Sequence, residues 1–342
     1  MGSTPERILV VAFKYPPYAA VGGKRWAKLS KYFARQGTEV HVLTVPWKSS
    51  NPNALRDVTD PKIHIHRIPS MTPSRLRVTE PTTILDRIRN RIYRDHIGGR
   101  AWAQDADLWG PVAIPSAVWL AKKHRVNAVI VTGAPFMAGY WIAKAKRFLP
   151  NIPLIQEFQD PWADLPDASL AVQGGRGRVQ RLERRLISSA DAIVTVTQGL
   201  SELLRAKSGD TPVYTIANGF DPEDIPPHSP PRPRPFRLIH GGNLYVGREE
   251  PLQAFLDGVV ELQAELPELE LVFRGGFPEE LRPRYRQLTE SGMLKILPLT
   301  DAVSFMQEVD NSFAALQFNA RQFPYLVSTK VYEYAACGRP IL

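Results

Sequence analysis

Ser328, Thr329 and Lys330 stand in a row at the start of an apolar periodic run, with Glu333 a few positions on. A Ser or Thr at such a point caps exposed helix amides. The positive end of the helix, with an ammonium beside it, then makes a seat for a phosphate. Glu333, expected on the first turn, has the two acceptor oxygens that a ribose diol needs. Ala335, Ala336 and Gly338 permit close packing, and residues 313–318 read as the strand that delivers the turn. The same letters also suit a βα unit that binds nothing.

Two earlier turns carry similar potential. Gly22 and Gly23 follow the apolar run 7–13 (RILVVAF) and the Pro16-Pro17 break, where backbone can approach a phosphate or a sugar closely; turn glycines more often serve a positive φ. Asp160-Pro161-Trp162 closes the run 153–159 (PLIQEFQ), placing a carboxylate, a rigid turn and an aromatic plane at the end of an expected parallel strand. An ordinary Asp-Pro turn is the plain alternative. Asp105-Ala106-Asp107 spells a metal-nucleotide motif, but no apolar strand leads to it, so no metal site is assigned there.

These turns need strands and helices to hold them. Strands are expected at 7–13, 39–45, 63–68, 128–132, 153–159, 192–197 and 213–217, and helices at 24–36, 115–124, 136–148, 179–188 and 199–207. Residues 222–235 (PEDIPPHSPPRPRP) hold seven prolines and no periodicity, the mark of a stiff linker. Beyond it the alternation restarts, with Gly241, Gly242 and Asn243 after a strand at 236–240 and further strands at 269–273, 295–299 and 313–318. The expected fold is therefore α/β, two doubly wound Rossmann-like domains facing across a cleft: 1–221, the linker 222–235, and 236–342. An arginine-rich insertion at 70–110 interrupts the first. Within it, residues 83–95 set Ile84, Leu85, Ile88 and Ile92 on one helical face, bordered by Arg87, Arg91 and Arg94 on one side and Arg89 on the other. That suits a helix lying on an anionic membrane surface, or one packed on the domain with a solvated basic edge.

Composition narrows the classes. The 342 residues are 44% hydrophobic and 23% charged, enough for two globular cores. The single Cys337 forms no internal disulfide, and no secretory leader or span of about 20 apolar residues is evident, which places the chain in the cytoplasm, with any membrane contact peripheral on its inner face. A net charge of +9 favours an anionic partner. Nucleic acid is not the expected one, because the arginines lack interleaved aromatics.

The order of these pieces resembles the retaining GT-B glycosyltransferases of the family 4 type. The matching stretches are PPYAAVGGKRWAKLSKYFARQGTEVHVLT near the start, DPW at Asp160, ADAIVTVT from Ala190, ANGFD from Ala217, GGNLYVGR from Gly241 and STKVYEYAACGRPIL at the end. The resemblance implies a nucleotide-sugar donor, UDP- or GDP-linked, on the second domain and a saccharide or polyprenyl-linked acceptor on the first. It implies no cofactor and no metal in the reaction. Arg248 and Lys330 would neutralise the leaving diphosphate, with Ser328 and Thr329 assisting and Gly242 and Asn243 in the adjoining turn. Glu333 would hold the ribose, and Gly22 and Gly23 would approach the phosphates and the reacting sugar; Arg248, Lys330 and Asp160 are the residues expected to be catalytic.

The sequence departs from that family at three places. Tyr325 stands at the first glutamate of its E-x7-E pattern, Asn243 at a frequent phosphate-binding arginine, and Gly133-Ala134-Pro135-Phe136 at a frequent histidine. These departures fit bacterial surface-polysaccharide enzymes. A nucleotide-sugar 2-epimerase or a non-catalytic binding module on the same fold are the competing expectations. The resemblance also implies that a second domain of this kind continues past Leu342, so a truncated C-terminal domain is expected.

Overall fold

The computed structural model describes residues 6–18, 21–47, 52–71, 83–92, 106–165, 170, 174–227, 230, 235–244, 247–320, 323 and 325–342. The chain divides into two compact units, Met1–Ala217 and Asn218–Leu342.

In the first unit the strands are β1 (Arg7–Val11), β2 (Glu39–Thr44), β3 (Ile63–Arg67), β4 (Ala128–Gly133), β5 (Leu154–Phe158), β6 (Ala192–Thr195) and β7 (Val213–Thr215). The helices are α1 (Val21–Arg35), α2 (Ile84–Ile92), α3 (Gly110–Lys123), α4 (Phe136–Ala145), α5 (Arg176–Ser188) and α6 (Gln198–Ser208). All seven strands run parallel in the order β3-β2-β1-β4-β5-β6-β7, and each apolar run is continuous because both sheet faces are covered. Leu9, Val11 and Phe13 enter a core with Ala113, Ala117 and Leu120 of α3 and much of α4. Their neighbours Ile8, Val10 and Ala12 turn the other way, against Trp26 and Ala27 of α1. The order reverses between β1 and β4, the place where such sheets open a crevice at their strand ends.

The second unit repeats the plan with β8 (Phe236–Gly241), β9 (Leu269–Arg274), β10 (Leu294–Leu297) and β11 (Ala314–Ala315), parallel in the order β10-β9-β8-β11. Its helices are α7 (Glu249–Glu261), α8 (Arg286–Glu290), α9 (Ala302–Asp310) and α10 (Thr329–Ala336). Leu238, Leu271 and Phe273 pack with Leu252 and Leu256 of α7 on one face, while Ile239 and Val272 meet Met306, Val309 and Tyr334 on the other. The reversal here falls between β8 and β11.

Several expectations change in detail. The division falls at Ala217/Asn218, a few residues before the proline-rich run, and the start of that run is packed. Asp221 caps a 3-10 turn at Pro222–Asp224, and Ile225 joins the second core. Residues 228–229 and 231–234 of the expected linker lie outside the described residues, as do residues 93–95 of the basic helix, including Arg94, and Asp105 of the D-x-D string. Helix α3 begins five residues earlier than expected, since Pro115 is accommodated inside it.

Candidate functional site

Helix α10 follows β11 across the second reversal, so its first turn meets the turn after β8. Ser328 is its N-cap, and the hydroxyl accepts from the Lys330 amide at a long 3.4 Å. Thr329 is the first helical residue and Lys330 the second, while Glu333 opens the second turn rather than lying on the first. The β8 turn is made of two glycines. Gly242 has φ +89°, which L side chains rarely adopt, and a Cβ on it would come within 2.7 Å of Lys330 Nζ. The ammonium thus lies directly over bare backbone. Beneath the turn the Gly241 amide donates to the Tyr334 hydroxyl at 3.1 Å, and Gly242 N donates to Arg274 O at 2.6 Å. Asn243 Oδ1 accepts from the Gly276 amide at 2.8 Å, bracing this loop against the next; its contribution to a ligand would have to come from Nδ2. Arg248 sits at the N-cap of α7.

The electrostatics match the geometry. Burial first, then Arg248, lowers the Lys330 ammonium to about 8, with Glu333 pulling the other way. His240, fully buried at the end of β8, is lowered to about 4 by burial and then by Lys330 and Arg248. Its Nδ1 lies 2.9 Å from the Leu316 carbonyl oxygen and donates to it, since a carbonyl only accepts. Two cations crowd one turn at the strand ends, in a place suited to a bound polyanion. Tyr325 is half-buried, with its ring edge-on to Phe323 at 6.3 Å.

The first unit treats its predicted residues less uniformly. Gly22 and Gly23 are not in the loop but inside the first turn of α1, and neither has a positive φ. Close approach explains them: a Cβ on Gly23 would lie 2.8 Å from the Tyr18 carbonyl oxygen, and one on Gly22 would touch Lys14 at 3.4 Å. Asp160 sits just beyond β5, open to solvent. Desolvation by the surrounding protein raises its carboxyl, against the pull of Lys14. Trp162 corrects the expectation of a substrate platform. It is 1% exposed and stacks on Phe136 with ring centroids 5.2 Å apart, because its apolar area is better used under the loop than at its rim.

Sequence reasoning missed the ion pair under these loops. Arg25 of α1 meets Glu157 of β5 at 2.8 Å, with side chains 8% and 1% exposed. Trp26 Nε1 donates to the other carboxylate oxygen at 2.6 Å, and the Arg25 guanidinium also donates to the Ile216 and Ala217 carbonyls. A charged residue inside an apolar strand, PLIQEF, was the available signal. Tyr334 and His240 were missed too, each being adjacent to a residue that was singled out.

Among the described residues no helix is long and apolar enough to cross a membrane. In α2, Ile84, Leu85 and Ile88 are exposed, so these side chains do not pack on the domain.

Comparison with known proteins gives the frame. Residues 22–219 match the family model described as "Glycosyl transferase 4-like domain". A search of the curated proteins found no match. Among solved structures, the sucrose-phosphate synthase of Thermosynechococcus elongatus superposes with a TM-score of 0.62 at 14% identity, covering 98% of this chain and 80% of that one. The catalytic domain of starch synthase IV from Arabidopsis thaliana, bound to ADP and acarbose, gives 0.58 at 12% identity, covering 97% and 81%. The lipopolysaccharide outer core galactosyltransferase WaaB gives 0.57 at 12% identity, covering 98% and 79%. At such identities these likenesses show the GT-B fold. With the family match spanning more than half of its length, the chain belongs to the glycosyl transferase 4-like family, a hexosyltransferase-type enzyme family.

Proposed function

We propose that this enzyme transfers a sugar, with retention, from a UDP- or GDP-linked donor to a saccharide or polyprenyl-linked acceptor in cell-surface polysaccharide synthesis. The observation that carries the reading is the pair of crowded cations, Lys330 and Arg248, at the Gly242 turn. In a transfer that uses no metal, negative charge grows on the leaving diphosphate as the glycosidic bond breaks. Lys330, Arg248 and the amides at the Ser328 helix start meet that charge with little reorganisation. Glu333 takes the ribose hydroxyls. Asp160 orients the acceptor on the first unit, and the amides around Gly22 and Gly23 approach the transferred sugar. Retention then follows from attack on the face the diphosphate leaves, so a second carboxylate is not required.

The exposed apolar residues of α2, with Arg87 and Arg91 also exposed on it, suit an anionic membrane surface, where a polyprenyl-linked acceptor resides. In this reading the enzyme works at the inner face of the cytoplasmic membrane. The test is a thermal-shift panel of UDP-, GDP- and ADP-sugars on the full chain. Transfer to polyprenyl-linked saccharides and NMR of the product anomer follow. Stabilisation by one donor and an anomer matching that donor are expected. A flat panel overturns the donor site, and turnover of a UDP-sugar with no acceptor present replaces transfer by epimerisation.

A further inference from the structure

Four histidines gather at one end of the first sheet. The β2–β3 register sets His41 opposite His64 and Leu43 opposite His66. By strand alternation Glu39, His41, His64 and His66 all project from the face that α3 covers, and His124 is the C-cap of α3. His41 is 1% exposed and stacks on His124 with centroids 3.8 Å apart; the rings of His64 and His66 lie 4.9 and 5.5 Å from it.

The nitrogens face one another. One from each of His41, His66 and His124 lie within 4.8 Å of one another. His41 Nδ1 and His66 Nε2 are 3.2 Å apart, close to the roughly 3.3 Å edge of a tetrahedron built on Zn–N bonds of about 2.0–2.1 Å. Behind His41, Nε2 lies 3.0 Å from Glu39 Oε1, at an angle too steep for a hydrogen bond until the ring turns. A carboxylate on one ring nitrogen while the other faces the ion is how proteins fix the tautomer of a metal-binding histidine. His124 Nε2 is buried with no hydrogen-bond partner. The Lys123 ammonium lies over the Trp119 ring at 4.3 Å.

We propose that His41, His66 and His124 bind a divalent cation of the zinc class, with Glu39 orienting His41 and water in the fourth position. Imidazole nitrogens select such borderline ions over Mg²⁺, which prefers oxygen. Two rings on one tetrahedral ion have centroids roughly 5 Å apart, so capture opens the His41–His124 stack by about 1 Å. The ion ties the edge strand β3 and the end of α3 to β2. His124 ends α3 and Glu39 starts β2, whereas Gly22, in the first turn of α1, and Asp160 come after the ends of β1 and β5. The ion's role is therefore structural and independent of sugar transfer.

The experiment uses the tag-free full chain, stripped with chelator, and ZnCl2, CoCl2 or MgCl2 alone. Zn²⁺ at a hundredfold excess over its Kd should raise Tm by roughly 5–10 °C while Mg²⁺ does not. Co²⁺ should give the intense visible bands of a four-coordinate ion. His66→Gln and His124→Gln, both at half-buried positions and checked for native circular dichroism, should each weaken Zn²⁺ binding at least tenfold. No Zn²⁺ shift in the wild type, a Co²⁺ spectrum like that of the hydrated ion, or a shift unchanged in both variants would overturn the site. The wild-type Co²⁺ spectrum decides the matter even if a variant misfolds.

Discussion

Lys330→Met separates the stability of the second unit from its function. The native ammonium is held at about 8 instead of the ordinary 10.5, which by linkage corresponds to about 3 kcal/mol of disfavoured charge at neutral pH. Because Lys330 is only half-buried, solvent screening reduces that to about 1–2 kcal/mol. Methionine keeps the apolar stem and removes the charge, so the ligand-free variant should melt roughly 4–8 °C higher. The same change deletes the proposed charge-assisted contact to a donor diphosphate, worth about 1.5–3 kcal/mol, and should weaken nucleotide binding roughly 10- to 150-fold. The sign of the pH dependence follows. The folded state releases the proton near 8 while the unfolded chain keeps it to 10.5, so the native penalty is complete below the lower value. Wild-type stability gains on the variant as pH rises between the two values. Differential scanning fluorimetry with and without UDP and GDP, at several pH values, reads all of this. A ligand-free variant that melts no higher than wild type refutes the strained cation. A full nucleotide shift in the variant refutes Lys330 as a phosphate ligand.

Other expectations can be tested alongside. Arg248→Ala should lower kcat/KM by about 100-fold or more, as loss of a group that meets transition-state charge does, measured by donor-consumption kinetics. Glu333→Ala should abolish detectable transfer, and its donor Kd by calorimetry should rise, while the free enzyme melts slightly lower because Lys330 loses a favourable neighbour. Glu157→Gln leaves Arg25 buried without its counter-ion and should cost about 3–5 kcal/mol in urea unfolding; a change under about 1 kcal/mol would mean water replaces the carboxylate. Leu85→Asp in α2 should reduce sedimentation with anionic vesicles, and added salt should weaken the wild type's own association; unchanged sedimentation of the variant removes the membrane from the proposal.

Much of the scaffold was legible because parallel strands covered on both faces are nearly continuous apolar runs. Runs such as RILVV and EVHVLT declare themselves without any partner in view. The helix start at Ser328 and Lys330 was legible for a different reason, being local to one segment. Boundaries inside glycine-rich turns were not: Gly22 and Gly23 read as loop because glycine is a poor helix former, and the close approach of Tyr18 that favours them is a tertiary contact. Trp162 looked like a ligand platform because sequence gives the residue but not the side of the loop on which the indole falls. Least visible were pairings between distant segments. Arg25 meets Glu157 across 132 positions, and His41, His66 and His124 come from two strands and a helix end. Only the IHIH alternation of β3 hinted that His64 and His66 share a face.

Helix α10 grips the β8 turn from two levels at once, with the Lys330 ammonium over Gly242 and the Tyr334 hydroxyl, one helical turn later, bonded to the Gly241 amide. Turn and helix therefore behave as one rigid part. Most of the ordering entropy of the proposed phosphate cradle would be lost when this unit folds, before a nucleotide arrives. Donor capture by this half-site should accordingly show a small activation barrier and an on-rate set by electrostatic encounter, leaving slower rearrangements to later steps of the cycle.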